Sequence, residues 1–307
     1  MRKIYLMFAL ILMIGLFAGC GGDKKLTGEV LTEGTMIGYA PAEGQTLHYR
    51  SDSDELTEFT EKGYHSSTLS KTTSYEAFTV DSVNEEGVTA VTYSFLSSET
   101  GVFQNGQFQI QDEEDELIGQ SLTIVVGPEG DLLKWSGLED LEITDSGMDR
   151  GEMMASNYAS IFFDHFPTDR KLKIGDTWKR ENSMNVSTKE GEMNQKTTKT
   201  YTVENFVIRD GHKCAKCDIK IIIENTGEGT TENEGKTYNY YNEGRGEGNG
   251  TLYFDFENGY PVYSSHNWIV DFTITSVETQ TQEENSFSYY QEQKVTNELV
   301  PESEIPE

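Results

Sequence analysis

The sequence predicts a mainly β protein: a duplicated antiparallel β-sheet body, curved into an open sheet, half-barrel or barrel, with one central amphipathic helix linking two halves. Three observations predict it. Long stretches alternate polar and apolar residues, the period of a strand with one buried face. Turn sequences such as Asn258-Gly259 separate these stretches. A single stretch near the middle has helical spacing instead.

Composition is ordinary for a folded β protein, and charge is not. Hydrophobic residues make up 35% of the chain and aromatics 11%, so global disorder is not expected. Asp and Glu number 53 against 24 Lys and Arg, a formal net charge of −29. Such a surface repels nucleic acid and anionic lipid headgroups, so we predict no nucleic-acid partner.

The first residues have the pattern of an export signal. Arg2 and Lys3 precede the apolar run 4–17, and Phe17-Ala18-Gly19-Cys20 closes it with small residues before a cysteine. This resembles a bacterial lipoprotein signal with its lipobox. The resemblance implies a signal peptide over 1–19, palmitate-type acylation of Cys20, and a lipid-anchored protein outside the cytoplasm, at the outer membrane or cell surface. A flexible tether is expected over 20–38.

The first β half is expected over 39–146. Gly44-Gln45-Thr46-Leu47 opens it, and the stretch 51–70 is polar and turn-rich. The inward face of the next hairpin is predicted to carry the apolar residues Val91, Tyr93 and Phe95. A second hairpin turns at Gly127-Pro128-Glu129-Gly130.

The linking helix is expected over 147–167. A capping box at 146–149 marks its start, and Phe166-Pro167 ends it. Its apolar residues recur at helical spacing and form one face: Met154, Tyr158, Ile161, Phe162 and His165. This helix either plugs the concave side of the sheet or packs outside it as a connector.

The second β half, over 168–297, repeats the order of the first. Gly175-Asp176-Thr177-Trp178 matches the earlier opening, and Ala215, Cys217 and Ile219 match the earlier inward face. The Gly-, Glu- and Tyr-rich stretch 225–250 reads as a long loop, either disordered, which we favour, or a binding loop. A last strand is expected over 287–295, and 298–307 as an acidic disordered tail.

The residue types exclude several kinds of chemistry. Cys214 and Cys217 are three apart on a strand and so face opposite sides, which excludes a disulfide or shared metal ion. The sequence carries no hydrolase, zinc-protease or phosphate-loop motif. We therefore predict a protein that is not an enzyme and needs no cofactor or metal.

Aromatic residues at alternating strand positions are the remaining candidates for a site. They either fill the core or line a cavity for an apolar ligand. The candidate ligand-binding residues are Trp135, Tyr158, Phe162, Trp178, Phe254, Phe256 and Trp268.

The lipobox, the Gly-Asp-Thr-Trp strand opening and turns ending in Asp-Gly or Glu-Gly resemble a family of uncharacterised bacterial lipoproteins with a duplicated antiparallel β body. At the level of fold, the chain is also similar to half-barrel carriers of lipids and lipoproteins of the LolA and LppX type. The resemblance implies a membrane partner, through lipid on Cys20, and an apolar ligand or envelope protein bound by the β body. The alternative is a structural or assembly module of the envelope without a small-molecule ligand.

Overall fold

In the parts of the chain that the computed structural model describes, thirteen antiparallel strands form one sheet. The structure describes residues 23–26, 33–104, 107–110, 117–128, 130–138, 150–163, 166–187, 191–233 and 236–306. Its strands are β1 (Lys24–Lys25), β2 (Thr46–Glu61), β3 (Tyr64–Val83), β4 (Thr89–Gln104), β5 (Gln107–Ile110), β6 (Ser121–Val126), β7 (Leu132–Ser136), β8 (Thr177–Ser187), β9 (Gly191–Arg209), β10 (His212–Asn233), β11 (Lys236–Asp255), β12 (Tyr260–Glu278) and β13 (Glu284–Val300).

Strands β2 to β7 form one meander of this sheet and strands β8 to β13 form another, and the pairing of β13 with β2 joins the two. The strand order is β1-β9-β10-β11-β12-β13-β2-β3-β4-β6-β7, with β5 on β4 and β8 on β9. Strand β13 pairs with β12 on one side and with β2 on the other. The mainly β, antiparallel class predicted from the alternation is therefore confirmed.

Alternation gives the sheet a core on one face, the inner face. Along β10, Cys217, Ile219, Ile221 and Ile223 are buried while the residues between them are exposed. The predicted inward residues of both halves are buried on this face. They belong to two apolar clusters, one around Tyr93 in β4 and one around the β10 residues.

A helix, α1 (Arg150–Phe162), follows the first meander in sequence and precedes the second. It packs on the inner face of the sheet. Ala155, Ala159 and Phe163 are buried against the first cluster, and Tyr158 is half-buried. Met154 and Tyr158 of the predicted apolar face also pack on this cluster, but the most buried residues are Ala155, Ala159 and Phe163, so the predicted central amphipathic helix is not shown. The side chains of Ile161 and Phe162, and all of His165, lie outside the described residues.

The predicted long loop 225–250 is wrong, because these residues belong to the hairpin of β10 and β11. Gly244, Gly246, Gly248 and Gly250 alternate along β11 and face inward, opposite Phe272, Val270, Trp268 and His266 of β12. We name this row the glycine stripe. A Cβ at Gly248 would lie 2.3 Å from the Asn267 carbonyl oxygen, so only glycine permits this close approach of β11 and β12.

Several predicted boundaries also shift. The polar, turn-rich stretch 51–70 is the long β2–β3 hairpin. Strand β1 lies within the predicted tether, and β13 continues to Val300 and is followed by a 3₁₀ turn (Glu302–Glu304), inside the predicted tail. Among the described residues, no helix combines the length and apolar character needed to cross a membrane.

Candidate functional site

Beyond the core, the inner face becomes polar. Leu47 and Tyr49 of β2 are buried, and Ser51 and Ser53 continue the same face of the strand because alternate residues share a side. Half-buried hydroxyl residues fill the corresponding positions of three strands. This hydroxyl belt consists of Ser51, Ser53 and Thr57 of β2, Thr68, Ser70, Thr72 and Ser74 of β3, and Ser98 and Thr100 of β4.

Hydrogen bonds between side chains order the belt. The Thr72 and Thr100 hydroxyls lie 3.0 Å apart. The Ser51 hydroxyl donates to Asn297 Oδ1, and Asn297 Nδ2 donates to Ser264 Oγ at 3.1 Å. The second of these sets extends the polar row from β2 across β13 to β12.

Amide, carboxylate and aromatic groups border the belt. Trp268, Gln293 and Glu55 are directly opposite one another on β12, β13 and β2. Gln293 Nε2 donates to Ser53 Oγ at 3.3 Å, and Gln291 Nε2 donates to Glu55 Oε1 at 3.0 Å. All these side chains are half-buried and so remain partly open to solvent.

Glu76 lies at the base of the belt, where the polar surface meets the core. Its side chain is 4% exposed and faces inward between Tyr49 and Phe95 on the neighbouring strands. Burial raises the pKa of Glu76 to about 7, although hydrogen bonds from Ser74 and Tyr158 act in the opposite direction. Its Oε2 has no partner among the described residues.

These groups suit hydrogen bonding to a polar ligand. Hydroxyls both donate and accept, amides offer one group of each kind, and ionised carboxylates accept only. The Trp268 ring adds a half-buried apolar surface. No three His, Cys, Asp or Glu residues of the described parts are grouped to hold a metal ion.

The predicted aromatic ligand residues do not form one cavity. Trp178 is 8% exposed and stacks on Tyr201 with ring centroids 5.1 Å apart. Phe254 is fully buried against Phe166, and Phe256 packs half-buried on Phe206. These three rings pack against neighbouring rings, so no apolar pocket lies between them.

The other candidates lie apart. Trp135 of β7 is half-buried, with its ring over Gly151 of α1. Tyr158 contacts Glu76, and the Phe162 side chain lies outside the described residues, as does Cys20. Among the predicted aromatics whose side chains are described, Trp268 lies beside the belt, in register with Gln293 and Glu55.

Sequence reasoning missed the belt and Glu76. The signal was a hydroxyl residue at every second position from Ser66 to Ser74. Glu76 then stands two residues before Phe78, on the face that becomes the core. Hydropathy does not reveal such a polar alternation, because both faces of the strand score as polar.

Cys214 and Cys217 of β10 are buried, and neither forms a disulfide within the described residues. Burial raises the pKa of the Cys214 thiol to about 12, with the nearby Asp255 carboxylate acting in the same direction. A thiol held in its protonated form is a poor nucleophile and a poor metal ligand.

Neither a protein-family profile nor a curated protein matches this sequence. Solved structures that match include OccK11 (OpdR) of Pseudomonas aeruginosa, at 5% identity, 86% of this chain, 100% of that chain and a TM-score of 0.21. The COG4313 outer membrane channel from Pseudomonas putida F1 matches at 8% identity, 84% of this chain, 97% of that chain and a TM-score of 0.21. Similarities this low carry neither fold nor function over to this chain.

The predicted family is corrected, because no family profile and no curated protein supports it. The matched structures are outer membrane channels, not lipoproteins or carriers of the LolA and LppX type. The predicted lipoprotein identity, with its signal peptide, palmitate on Cys20 and membrane partner, is wrong. So is the predicted carrier of an apolar ligand or partner protein, together with its alternative as an assembly module. The filled aromatic core gives the physical reason against an apolar cavity.

Proposed function

We propose that the hydroxyl belt and the residues beside it bind a polyhydroxylated ligand, such as an oligosaccharide, without chemically changing it. The observation that carries this proposal is the register of Trp268, Gln293 and Glu55 on adjacent strands, next to the belt. A sugar presents hydroxyls in its plane and C–H groups on its faces. An aromatic ring beside amides, hydroxyls and a carboxylate complements both.

The size of the polar surface fits a ligand of several sugar units. Adjacent strands are about 4.8 Å apart, so the four strands from β12 to β3 place their outermost side chains about 14 Å from each other. The belt covers three positions on β2 and four on β3, and alternate positions along a strand are about 6.6 Å apart. A surface of this size lets one ligand form many hydrogen bonds, which are weak individually but together contribute to its affinity.

We also propose that the hydroxyl belt does not hydrolyse the ligand that it binds. Glu55 faces inward six residues beyond Tyr49, which is opposite Glu76. At about 3.3 Å per residue the two carboxyl groups are about 20 Å apart along the strands. Glycoside hydrolysis needs two carboxyl groups within about 10 Å of each other. Binding without hydrolysis is therefore the function that this geometry supports.

Two finer features remain proposals as well. We propose that α1 links two β halves, 39–146 and 168–297, that arose by duplication, because the meanders follow the same order of strand openings and turns. We also propose that the ligand is met in the cell envelope.

A glycan array probed with the full-length protein tests the function. We expect binding to a subset of oligosaccharides, weakened at least 10-fold by Trp268→Ala and by Gln293→Ala. Ile269→Ala is the matched control, because Ile269 is the next residue on β12 and faces the opposite side of the sheet. No glycan bound by the wild type, or equal losses in the Ile269 control, would refute the proposal.

A further inference from the structure

The inner face carries a second row of aromatic rings beyond the hydroxyl belt. Phe272 of β12, Tyr289 of β13 and Phe59 of β2 are directly opposite one another. The rings of Phe272 and Tyr289 meet edge to face, with centroids 5.7 Å apart. Phe59 also packs on Phe287, with centroids 5.3 Å apart. We name Phe59, Phe272 and Tyr289 the far aromatic row.

The same three strands also hold the Trp268 row, which consists of Trp268, Gln293 and Glu55. On each strand the two rows are four residues apart, as Trp268 and Phe272 are on β12. Four residues of a strand extend about 13 Å. Between the rows, Gln291 and Thr57 face inward and supply an amide and a hydroxyl. The rows are therefore two ends of one surface, which several linked sugar rings can span and a single ring cannot.

Glycine on the neighbouring strand makes room for the rings of β12. Gly244 is opposite Phe272, and a Cβ at Gly244 would lie 2.5 Å from Cδ1 of the Phe272 ring. A side chain there would displace the ring, so the glycine stripe lets the ring lie on the sheet. Phe272 and Trp268 both pack on the apolar cluster around the β10 residues, and both stay half-buried. Each ring is thus held from below with part of its surface open to a ligand.

The charges on this surface disfavour an anionic ligand. Glu55 and Glu61 of β2 face inward, whereas Arg50 of β2 and Lys294 of β13 face the opposite side of the sheet. Strand β12, which the structure describes in full, contains no lysine or arginine. In a chain of net charge −29, a surface with inward carboxylates and no inward cation on these strands repels anions.

We infer that the ligand of this surface is an uncharged, extended, β-1,4-linked oligosaccharide that contacts the Trp268 row at one end and the far aromatic row at the other. Equatorial linkages keep successive sugar rings in a straight ribbon with C–H groups on both faces. Two aromatic rows in line along the strands complement such a ribbon, because aromatic rings offer large, flat apolar contacts. This inference rests on the proposed saccharide binding and names its class of ligand.

Isothermal titration of the full-length protein with cellobiose and with cellohexaose tests the inference. We expect cellohexaose to bind at least 10-fold more tightly, because only the hexamer reaches both rows. Tyr289→Ala should abolish this gain and leave the affinity for cellobiose within about 2-fold of the wild type, which also shows that the variant folds. If Tyr289→Ala fails to fold, Tyr289→Leu replaces it, since leucine keeps an apolar cross-strand contact without a flat ring.

Tyr290→Ala is the matched control, because Tyr290 is the next residue on β13 and faces the opposite side of the sheet. It should keep the wild-type affinity for both sugars, whereas Trp268→Ala should weaken the binding of both. Equal loss of cellohexaose affinity in Tyr289→Ala and Tyr290→Ala would overturn the far aromatic row as a contact.

The remaining outcomes separate this inference from the proposed function. Equal affinity of the wild type for the two lengths, with binding lost in Trp268→Ala, would overturn the extended ligand and leave saccharide binding intact. Binding of other glycans on the array but of neither cellobiose nor cellohexaose would do the same. Tighter binding of maltohexaose would overturn the straight form of the ligand, and tighter binding of a β-1,4-linked mannuronic acid hexamer would overturn its lack of charge. Absence of binding to every glycan would refute the proposed function itself.

Discussion

Tyr158 of α1 donates a hydrogen bond to Glu76 of β3, with 3.4 Å between the hydroxyl oxygen and Oε1. This contact joins the helix to the inner face at the point where the core meets the hydroxyl belt. Because the carboxyl is buried, the protonation state of Glu76 affects the stability of the fold at this point.

Glu76 should make stability depend on pH near neutrality. Its pKa is 4.5 in an ordinary environment and about 7 in the folded protein, so the folded state binds the proton more tightly. The resulting stabilisation is complete below pH 4.5 and disappears as pH rises through 7. A shift of this size corresponds to about 3 kcal/mol. Urea unfolding of the wild type and Glu76→Gln at pH 5 and pH 8 measures it.

In that experiment Glu76→Gln should lose much of the decline in the free energy of unfolding between the two pH values. Glu55→Gln, a half-buried carboxylate on the same face, is the control and should keep the wild-type decline. An unchanged decline in Glu76→Gln would show that Glu76 is not its source.

Asp255 should stabilise the turn between β11 and β12. It accepts hydrogen bonds from Asn258 and from His212 Nδ1, the latter at 2.8 Å. Burial alone would raise the pKa of Asp255, but these hydrogen bonds lower it below its ordinary value of 3.8. We expect Asp255→Asn to lower the free energy of unfolding at pH 7 by about 2 kcal/mol.

The contribution of Asp255 is present above pH 3.8 and is lost as pH falls, so the deficit of Asp255→Asn should shrink at pH 3. Chemical denaturation at both pH values provides the comparison. Asp210→Asn, whose carboxylate is exposed, should have little effect at either pH. A deficit that stays constant with pH would contradict the assignment to the charge.

Substitution in the glycine stripe should destabilise the sheet. Alanine normally stabilises a position occupied by glycine, because it reduces the entropy of the unfolded chain. At Gly248 the added methyl would meet the Asn267 carbonyl oxygen, so Gly248→Ala should cost about 1–3 kcal/mol. Gly38→Ala meets no atom within 4 Å and serves as the control in thermal unfolding. Equal melting temperatures for the two variants would disprove the packing argument.

Trp178 should contribute to stability and not to ligand binding. Its ring is buried on Tyr201, so Trp178→Ala should lower the free energy of unfolding by about 3–5 kcal/mol. Trp268→Ala, at a half-buried ring, should cost less and should affect the glycan array instead. Denaturation of both variants, read beside the array, checks this division of roles.

The sequence could predict the strands wherever apolar residues alternate with polar ones. Val91, Tyr93 and Phe95 are buried as predicted, and so are Ala215 and Cys217. The hydrophobic effect buries the apolar face of such a strand, so the alternation predicts which of its residues lie in the core. The duplication that the same pattern suggests stays a prediction.

The site could not be predicted in the same way. The hydroxyl belt has polar residues on both faces of its strands, so hydropathy gives no contrast. Glycines at alternate positions were interpreted as a loop because glycine is common in turns, whereas here they admit the side chains of β12. The pairing of β13 with β2 joins distant parts of the chain and depends on tertiary packing alone.

That pairing also delays completion of the sheet during synthesis. Strand β2 is made before β3 to β12, yet one of its two neighbours is β13, which follows all of them in the chain. Until then β2 exposes an unpaired edge of sixteen residues, which is open to pairing with other chains. The Asp and Glu residues of its outward face, Asp52, Asp54 and Glu58, repel copies of the same acidic chain. We expect this negative charge to oppose pairing between nascent chains before β13 covers the edge.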